Sequence, residues 1–308
     1  MTGTFLTVLN PGLFSTVQDL GRPGVREWGV GVAGAFDGGS MALANALVGN
    51  PPGAAALEMT LVGGSYRAEG DLAIALAGAT MAATLAGPDG ERSLRIPSAM
   101  TLRAGERLVL GPARRGARTY LAVRGGWRTP EVLGSRSTEQ ALRPGDALPA
   151  FSATTPARWL AGEFLPDPTS GPIRVLDGPD ADGRIDWEGL ESRVGSRSDR
   201  KGLRLDGPAV SVEPDPGRLS TPVAPGAVQV TERGLIVLGV ACGTMGGYPH
   251  VAHVVTADLD RLAQARPGDR ITFQRIELEA ARALDRADRR ARAELVERVA
   301  RRARGAVD

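Results

Sequence analysis

The sequence contains few of the residue types that usually build disulfides, metal centres and phosphate-binding loops. It has one cysteine, Cys242, which excludes an intrachain disulfide and a cysteine-based metal site. Its two histidines are too few for a histidine-rich metal centre, so we predict no metal. Lys201 is the only lysine and is followed by Gly202 and Leu203. The chain therefore lacks the Gly-x4-Gly-Lys-Ser/Thr loop that cradles nucleotide phosphates.

A long apolar run and an excess of one charge are also absent. No stretch approaches the roughly 18 consecutive apolar residues of a membrane helix, and the N-terminus does not resemble a signal peptide. We therefore expect a cytoplasmic protein without a membrane partner. The 37 basic and 35 acidic residues nearly balance. Ten arginines lie between residues 275 and 308, so the remaining chain is close to neutral. This distribution does not predict a nucleic-acid partner.

Turn-forming residues are abundant, with 41 glycines and 22 prolines among 308 residues. Short apolar runs separated by these residues, such as 71–76, 80–85, 107–110 and 119–123, favour many short strands. A Gly-acid-x-apolar turn recurs at 105–108, 145–148 and 268–271. The pattern predicts a mainly β (α+β) fold with two barrel-like units and short helices.

The composition along the chain suggests four regions. We predict a β-rich, barrel-like domain over residues 1–151, a linker over 152–170, a barrel domain over 171–276 and a C-terminal amphipathic helix over 277–304. Asp37 is the predicted N-cap of a short earlier helix. The C-terminal stripe comprises Ile276, Ala280, Leu284, Ala287, Ala291, Leu295 and Val299. We expect it to pack on the chain's own body or on another protein of a complex, with an acidic membrane surface as the alternative.

Three polar, glycine-rich loops carry candidate chemistry. In the first, residues 15–24, Gln18, Asp19 and Arg22 supply an amide, a carboxylate and a guanidinium. In the second, residues 196–205, Asp199 lies between Arg197 and Arg200, which could clamp a carboxylate or phosphate. The alternatives are a structural Asp–Arg pair in the first loop and a solvated charged turn in the second.

The third loop, residues 243–250, follows an apolar run. Gly246 and Gly247 could direct two backbone N–H groups towards an anion as a nest, and Tyr248 could donate its hydroxyl.

The motifs of these loops resemble those of the biotin-dependent carboxyltransferase or allophanate hydrolase subunit 2 family. The matching strings are STVQDLGRPG, GVAGAFD, LANALVGN, ALEMTLVGG, YLAVRGGW, VLGSRST, SDRKGLRLDG, TPVAPGAVQV and GGYPHVAHVVTADLDRLAQARPGDRITF. They run in family order from about residue 10 to residue 275, which makes the resemblance more specific than any single motif.

The resemblance implies a cyclophilin-like β-barrel fold and a role as one component of an ATP-dependent complex that opens 5-oxoproline to L-glutamate. The partners would be a subunit 1-type protein (the B component) and a lactam-utilisation protein (the A component), and the chain would be inactive alone. ATP would act at the level of the complex. Biotin would come from another chain, because Arg200 rather than methionine precedes Lys201. The alternatives are carboxyltransferase subunit 2 of a urea carboxylase or allophanate system, and a non-catalytic regulatory binder.

The resemblance and the loop chemistry together predict the site residues. The expected catalytic residues are Asp19, Asp199, Arg200, Thr244 and Tyr248. The expected substrate-binding residues are Gln18, Arg22, Arg136, Ser198, Gln229, Gly246 and Gly247. We expect the three loops to converge on one small-molecule pocket.

The chain departs from the family pattern in the third loop. Where the family typically has Asp-x-Gln-Thr-Thr-Gly-Gly-Tyr-Pro, this chain has Ala241 and Gly243 at the carboxylate and amide positions. The departure raises the expectation of an altered substrate or a role without catalysis.

Overall fold

The computed structural model describes residues 3–161, 167, 170–181, 183, 185–210, 212 and 217–304. The chain divides into two compact units. The first comprises Met1–Gly21, Asp37–Pro166 and Ala291–Asp308, and the second comprises Arg22–Phe36 and Asp167–Arg290. Residues 162–166, 168 and 169 of the predicted linker lie outside the described residues.

The first unit is built on a ten-stranded antiparallel sheet. Its elements are β1 (Phe5–Asn10), β2 (Phe14–Gln18), α1 (Gly38–Leu47), β3 (Ala56–Thr60), β4 (Ser65–Ala68), β5 (Leu72–Gly87), β6 (Gly90–Leu94), β7 (Ser98–Leu102), β8 (Arg107–Val123), β9 (Ala147–Pro149) and β10 (Arg158–Trp159). The strand order is β10-β7-β5-β8-β4-β1-β9, with β6 paired to β5 and β2 joined through β3 to β8. This sheet is branched and has two ends, whereas the sequence predicts a barrel-like domain here. Strand β10 lies inside the predicted linker and pairs with β7.

Strands β5 and β8 form the centre of this sheet. The sequence predicts two short strands in each region, but each pair is one long strand of 16 or 17 residues. The two long strands pair with each other along most of their length, with register shifts after Gly78. Gly78 has a φ of 108°, and a Cβ there would lie 2.4 Å from the carbonyl oxygen of Arg118. Only glycine therefore allows β5 to bend at this point and continue.

Helix α1 begins where the sequence predicts it, at the N-cap Asp37. The carboxylate of Asp37 accepts hydrogen bonds from the backbone N–H of Ser40 at 2.8 Å and from the Ser40 hydroxyl at 2.6 Å. The backbone N–H of Asp37 donates to the hydroxyl of Tyr120, which in turn donates to Glu58. All of these groups are buried, so the helix start is tied to the sheet by a satisfied polar network.

The second unit contains a closed seven-stranded barrel, which confirms the predicted C-terminal barrel. Its elements are a 3₁₀ turn (Arg26–Trp28), β11 (Ile173–Asp177), β12 (Glu191–Val194), β13 (Gly202–Asp206), β14 (Thr221–Pro222), β15 (Ala227–Thr231), β16 (Gly234–Leu238), β17 (Met245–Gly246), β18 (His250–Val254), a 3₁₀ turn (Thr256–Asp258), α2 (Leu259–Ala263) and β19 (Arg270–Arg275). The barrel order is β11-β18-β15-β16-β13-β12-β19, and a parallel pair between β11 and β19 closes it. Strands β14 and β17 form a separate two-stranded sheet.

The apolar residues of the barrel strands alternate in sequence. Leu203 and Leu205 of β13 are buried, and so are Leu235 and Val237 of β16. Together with Val228 of β15, they belong to the apolar core of the second unit. Because successive side chains point to opposite faces of a strand, the residues between them lie on the outer face of the barrel.

One turn recurs three times, as the sequence predicts. Gly105, Gly145 and Gly268 all have positive φ, between 83° and 91°. In each turn the acid that follows the glycine accepts a hydrogen bond from the backbone N–H three residues before it, at 2.7 or 2.8 Å. Each turn is followed within two residues by a strand, namely β8, β9 or β19. The glycine supplies the left-handed conformation and the acid stabilises the turn.

The C-terminal helix α3 spans Leu278–Arg304, close to the predicted range. Its buried positions are Ala281, Val299 and Ala303, whereas Ala287 and Ala291 of the predicted stripe are exposed. The sequence periodicity therefore identified the helix but not all of its buried face. No helix among the described residues has the length and apolar character needed to cross a membrane.

A buried carboxylate fixes the end of the barrel where β11 begins. The Asp258 side chain is fully buried and accepts hydrogen bonds from the backbone and guanidinium of Arg174 and from the guanidinium of Arg261 at 3.1 Å. Burial opposes ionisation of Asp258, but the hydrogen bonds from Arg174 and the charges of both arginines outweigh it and lower its pKa.

We predict that Asp258→Asn lowers the free energy of unfolding by about 3 kcal/mol at neutral pH, because two arginines lose their buried anionic partner. The control is Asp177→Asn, which removes an exposed ion pair with Arg275 and is expected to change it by less than about 1 kcal/mol. Urea unfolding measures both variants. The stabilisation by Asp258 is present above its unfolded pKa of about 3.9 and is lost as the pH falls through its lower folded pKa. Equal effects of the two substitutions at pH 7 would contradict this role of Asp258.

Candidate functional site

The second unit has a cavity of about 760 Å³ on the outer face of its barrel. Arg204 of β13, Ile236 of β16 and Gln229 of β15 are register partners and line its floor side by side. The complete lining is Arg197, Lys201, Arg204, Val223, Gln229, Thr231, Glu232, Arg233, Ile236, Leu238, Cys242, Gly243, Met245, Gly246, Gly247 and Tyr248. A cavity of this size fits a small molecule.

The charged residues of the lining are mostly basic. Arg197, Lys201, Arg204 and Arg233 contribute positive charge, and Glu232 is the one acid among the lining residues. Arg197 and Lys201 lie in the loop before β13, Arg204 lies on β13, and Arg233 lies in the turn between β15 and β16. The cavity therefore favours an anionic ligand.

Gln229 is the most deeply buried polar residue of the cavity lining, with 3% of its surface exposed. Its Nε2 donates a hydrogen bond of 3.2 Å to the backbone oxygen of Tyr248. Gly246 packs directly against this amide, because a Cβ at position 246 would lie 2.7 Å from Gln229 Nε2 and 3.0 Å from Val223 Cγ1. At Gly247 the nearest atom to such a Cβ would be 3.6 Å away. The absence of a side chain at Gly246 thus allows the loop and the Gln229 amide to pack together.

The loop containing Gly243 and Tyr248 is anchored mainly through its backbone. The carbonyl oxygen of Thr244 accepts hydrogen bonds from the Val223 backbone N–H at 3.0 Å and from Arg26 at 3.4 Å. Gly246 lies in β17, and neither Gly246 nor Gly247 has a positive φ. These two glycines therefore do not form a nest of the type that needs one residue in the left-handed region. Tyr248 is half exposed at the cavity.

Cys242 is buried in the cavity wall near Arg26. Burial raises the pKa of its thiol, and the nearby Arg26 only partly opposes this effect. The thiol is therefore protonated at neutral pH and is a poor nucleophile.

In the second predicted loop, the side chains that the sequence singles out form hydrogen bonds within the protein. Asp199 Oδ1 accepts hydrogen bonds from the backbone N–H groups of Lys201 at 2.7 Å and Gly202 at 3.1 Å. The Ser198 hydroxyl accepts one from the Arg204 backbone N–H at 3.0 Å. Arg200 is buried and donates to the carbonyl oxygen of Gly34 at 2.7 Å. Its guanidinium does not line the cavity, so the predicted clamp formed with Arg197 is not present there.

Asp19, in the first unit, is surrounded by hydrogen-bond donors. Its carboxylate accepts from the hydroxyls of Ser135 and Ser137 and from the backbone N–H groups of Arg136 and Gly21, at 2.6 to 2.8 Å. Burial opposes ionisation, but these donors outweigh it and lower the pKa of Asp19. This carboxylate is thus a weak base that holds two loops together.

Gln18 and Arg136 are also held within the first unit. The Gln18 amide is fully buried and donates to Thr16 at 2.9 Å and to the backbone oxygen of Thr138 at 2.7 Å. Arg136 pairs with Glu131 at 2.8 Å and donates to the backbone oxygen of Thr129.

The structure brings together part of the predicted site. Gln229, Gly246, Gly247 and Tyr248 line the cavity of the second unit. Thr244, Ser198, Asp199, Arg200 and Arg22 belong to the same unit but do not line it. Gln18, Asp19 and Arg136 belong to the first unit. Convergence of all three loops on one pocket stays a prediction, as do the roles of the individual residues.

Three basic residues that line the cavity are not among the site residues predicted from the sequence, namely Lys201, Arg204 and Arg233. Arg204 lies between two buried leucines in Gly202-Leu203-Arg204-Leu205, which is the pattern of an outward-facing residue on a half-buried strand. Charged residues at such outward-facing strand positions were the sequence signal that could have identified these cavity residues. No group of three or more potential metal ligands lies together in the part of the chain that the structure describes.

The fold and the cavity define a β-rich protein with an anion-favouring site on a closed barrel, and comparison with known proteins identifies its family. The chain matches the model of the carboxyltransferase domain, subdomains A and B, over residues 28–275. It belongs to this family. The resemblance found from the motifs and the expected mainly β fold are both confirmed.

Individual relatives come from more than one enzyme system. The chain is 36% identical over 299 residues to the C subunit of 5-oxoprolinase from Escherichia coli K12, covering 90% of this chain and 93% of that protein. It is 31% identical to urea amidolyase of Lachancea kluyveri, covering 90% of this chain and 17% of that protein. The crystal structure of Kluyveromyces lactis urea carboxylase is 28% identical, with a TM-score of 0.81, over 94% of this chain and 29% of that chain. The chain thus corresponds to one part of the two longer proteins.

We predict that Gly246→Ala displaces the Gln229 amide, whereas Gly247→Ala leaves it in place. The added methyl at 246 overlaps with Nε2, and the loss of its hydrogen bond to Tyr248 is expected to remove about 1 kcal/mol of stability. Crystal structures and thermal unfolding of the two variants test this. An unchanged Gln229 position in Gly246→Ala would contradict it.

Proposed function

We propose that this protein is the C-type component of an ATP-dependent 5-oxoprolinase-type complex, which opens 5-oxoproline to L-glutamate. Coverage of nearly the whole E. coli C subunit supports this choice over the longer relatives. The structural observation that carries the proposal is the basic cavity with the buried Gln229 amide on its floor. 5-Oxoproline has a carboxylate that arginine can bind and a lactam group that an amide can recognise.

The side chains of the cavity would bind and orient the substrate. Arg204 or Arg233 would hold the carboxylate, and Gln229 would recognise the lactam. Tyr248, half exposed at the cavity, would cover the bound molecule and limit its access to water. Opening the lactam adds water across the C–N bond, and positive side chains near the carbonyl oxygen would stabilise the negative charge that develops there. Asp19 would position its loop rather than transfer the proton, because four donors already occupy its oxygens.

The proposal includes ATP at the level of the complex, and biotin only if another chain supplies it. ATP would be used at the level of the complex, where its hydrolysis makes the ring opening favourable. The basic cavity residues fit a phosphate or carboxylate group, but the sequence lacks a P-loop. A cytoplasmic location belongs to the same proposal.

A second candidate is the carboxyltransferase half of a urea-type system. The observation that favours it is the match to urea carboxylase over 94% of this chain with a TM-score of 0.81. A third, non-catalytic binding role is favoured by Ala241 and Gly243, which carry neither a carboxylate nor an amide.

The proposal requires partner proteins. We predict that co-expression with a subunit 1-type protein (the B component) and a lactam-utilisation protein (the A component) gives a complex that co-elutes on size exclusion at micromolar concentration. Glutamate release should require ATP and all the components, and this chain alone should be inactive. Elution of this chain separately from both partners would count against the proposal.

The third loop provides a second test. Because a Cβ at position 243 would meet its nearest atom at 3.6 Å, a side chain fits there without backbone strain. We predict that the double substitution Ala241→Asp, Gly243→Gln raises ATP-dependent glutamate release of the complex by at least about tenfold. A positioned proton-transfer group commonly contributes about 10²–10⁴-fold.

The matched control is Ala241→Asn with Gly243→Gln, which adds the same bulk without the carboxylate and should give no such gain. A wild-type complex that is fully active and is damaged by both pairs of substitutions would show that the loop only shapes the pocket.

A further inference from the structure

The four basic residues of the cavity form no ion pair with an acid in the part of the chain that the structure describes. No carboxylate among the described residues lies within 4.0 Å of the side chains of Arg197, Lys201, Arg204 and Arg233. Other arginines of the same unit are paired, as Arg174 is with Asp258 and Arg218 with Asp180. The cavity therefore gathers positive charge that is not held in ion pairs among the described residues.

This concentration of charge exceeds what one carboxylate requires. Four basic residues and one acid, Glu232, line a cavity of about 760 Å³. Like charges that share a cleft repel one another unless an anion binds between them. A ligand with a single negative charge would leave most of this repulsion in place, whereas a ligand with two negative charges would relieve more of it.

A second, independent feature of the cavity points to a bound molecule. Gln229 is 97% buried, and its Nε2 donates a hydrogen bond of 3.2 Å to the backbone oxygen of Tyr248. No hydrogen bond to its Oε1 is formed among the described residues, and this oxygen is open to solvent where the side chain lines the cavity. An acceptor that is held in place but unpaired is suited to an N–H or O–H group of a ligand.

The apolar part of the lining limits the shape of that ligand. Val223, Ile236, Leu238 and Met245 contact the same space. They favour a molecule that carries its negative charge on a short carbon framework rather than a bare inorganic ion.

We propose that the outer cavity of the barrel binds a compact dianion, with carboxylate or phosphate groups held by Arg197, Lys201, Arg204 and Arg233 and a hydrogen-bond donor facing Gln229. The dianion proposal rests on the proposed function only in treating the cavity as the substrate site. It differs in the ligand that is expected to bind most tightly. The ligand that binds most tightly here carries one more negative charge than 5-oxoproline does.

The test measures binding to the isolated chain by calorimetry, with no turnover required. The probes are glutarate as a dicarboxylate, glycerol 3-phosphate as a phosphate with hydroxyl donors, and 5-oxoproline as a monocarboxylate. We expect at least one dianion to bind roughly tenfold or more tightly than 5-oxoproline, and its affinity to fall as salt is added. The preferred dianion decides between carboxylate and phosphate.

Substitutions of cavity residues test whether the dianion binds in this cavity. Arg204→Gln and Arg233→Gln should each weaken binding of the preferred dianion roughly tenfold or more, since each removes a charge-assisted hydrogen bond. Arg270→Gln is the matched control, because it removes the same charge from a surface arginine paired with Glu191 and should have no effect. Gly246→Ala should weaken binding by moving Gln229, and Gly247→Ala should not.

Equal affinity for 5-oxoproline and both dianions, or equal effects of Arg204→Gln and Arg270→Gln, would overturn this proposal while leaving the 5-oxoprolinase assignment intact. Failure of the assembled complex to release glutamate would overturn the proposed function and leave the dianion site standing.

Discussion

In a closed barrel, each strand directs alternate side chains inward and outward, and this constraint determines where the chemistry of the second unit can lie. The inward positions of β13 and β16 are occupied by leucine and valine, which fill the core. Only the outward positions remain for polar groups, and Arg204 and Gln229 occupy them on either side of Ile236. A shift of β13 by one residue would bury Arg204 and expose Leu203 and Leu205. The same apolar pattern that stabilises the barrel therefore also orients the floor of the cavity.

The loop over this floor depends on close packing rather than on a flexible glycine turn. Gly246 lies in a short strand without positive φ, and its role is to leave room for the Gln229 amide. The backbone oxygen of Tyr248 then fixes that amide. Gly105, Gly145 and Gly268 have a different role, because their turns need the left-handed conformation. Glycine is thus needed at the turns for its backbone conformation, and at the candidate site because it leaves room for a neighbouring side chain.

Sequence reasoning predicted the features that depend on local chemistry. The Asp37 cap, the three glycine-acid turns and the C-terminal helix are each specified by neighbouring residues, and all three are present. It did not predict that the apolar runs of β5 and of β8 continue through their interruptions, because the long strands depend on their pairing with each other.

The prediction of the site was limited in the same way, because it also depends on contacts between residues that are distant in sequence. Asp199 and Arg200 have the residue types of a catalytic pair, but the sequence does not show that their side chains form local hydrogen bonds and that Arg200 is buried. Which arginine is buried and which faces the cavity depends on the position of β13 in the barrel, which no short motif encodes.

The contrast between paired and unpaired arginines in one unit bears on what the cavity is for. Asp258 shows that this fold can bury a carboxylate between two arginines when a structural link is needed. A chain that needed Arg204 or Arg233 only for stability could supply acids in the same way, and Glu232 lies in the same turn as Arg233 without forming an ion pair among the described residues. Unpaired charges at the surface contribute little to stability, and their mutual repulsion opposes the packing of the loop around them. Their concentration around the Gln229 amide is therefore better explained by an anionic ligand than by the fold.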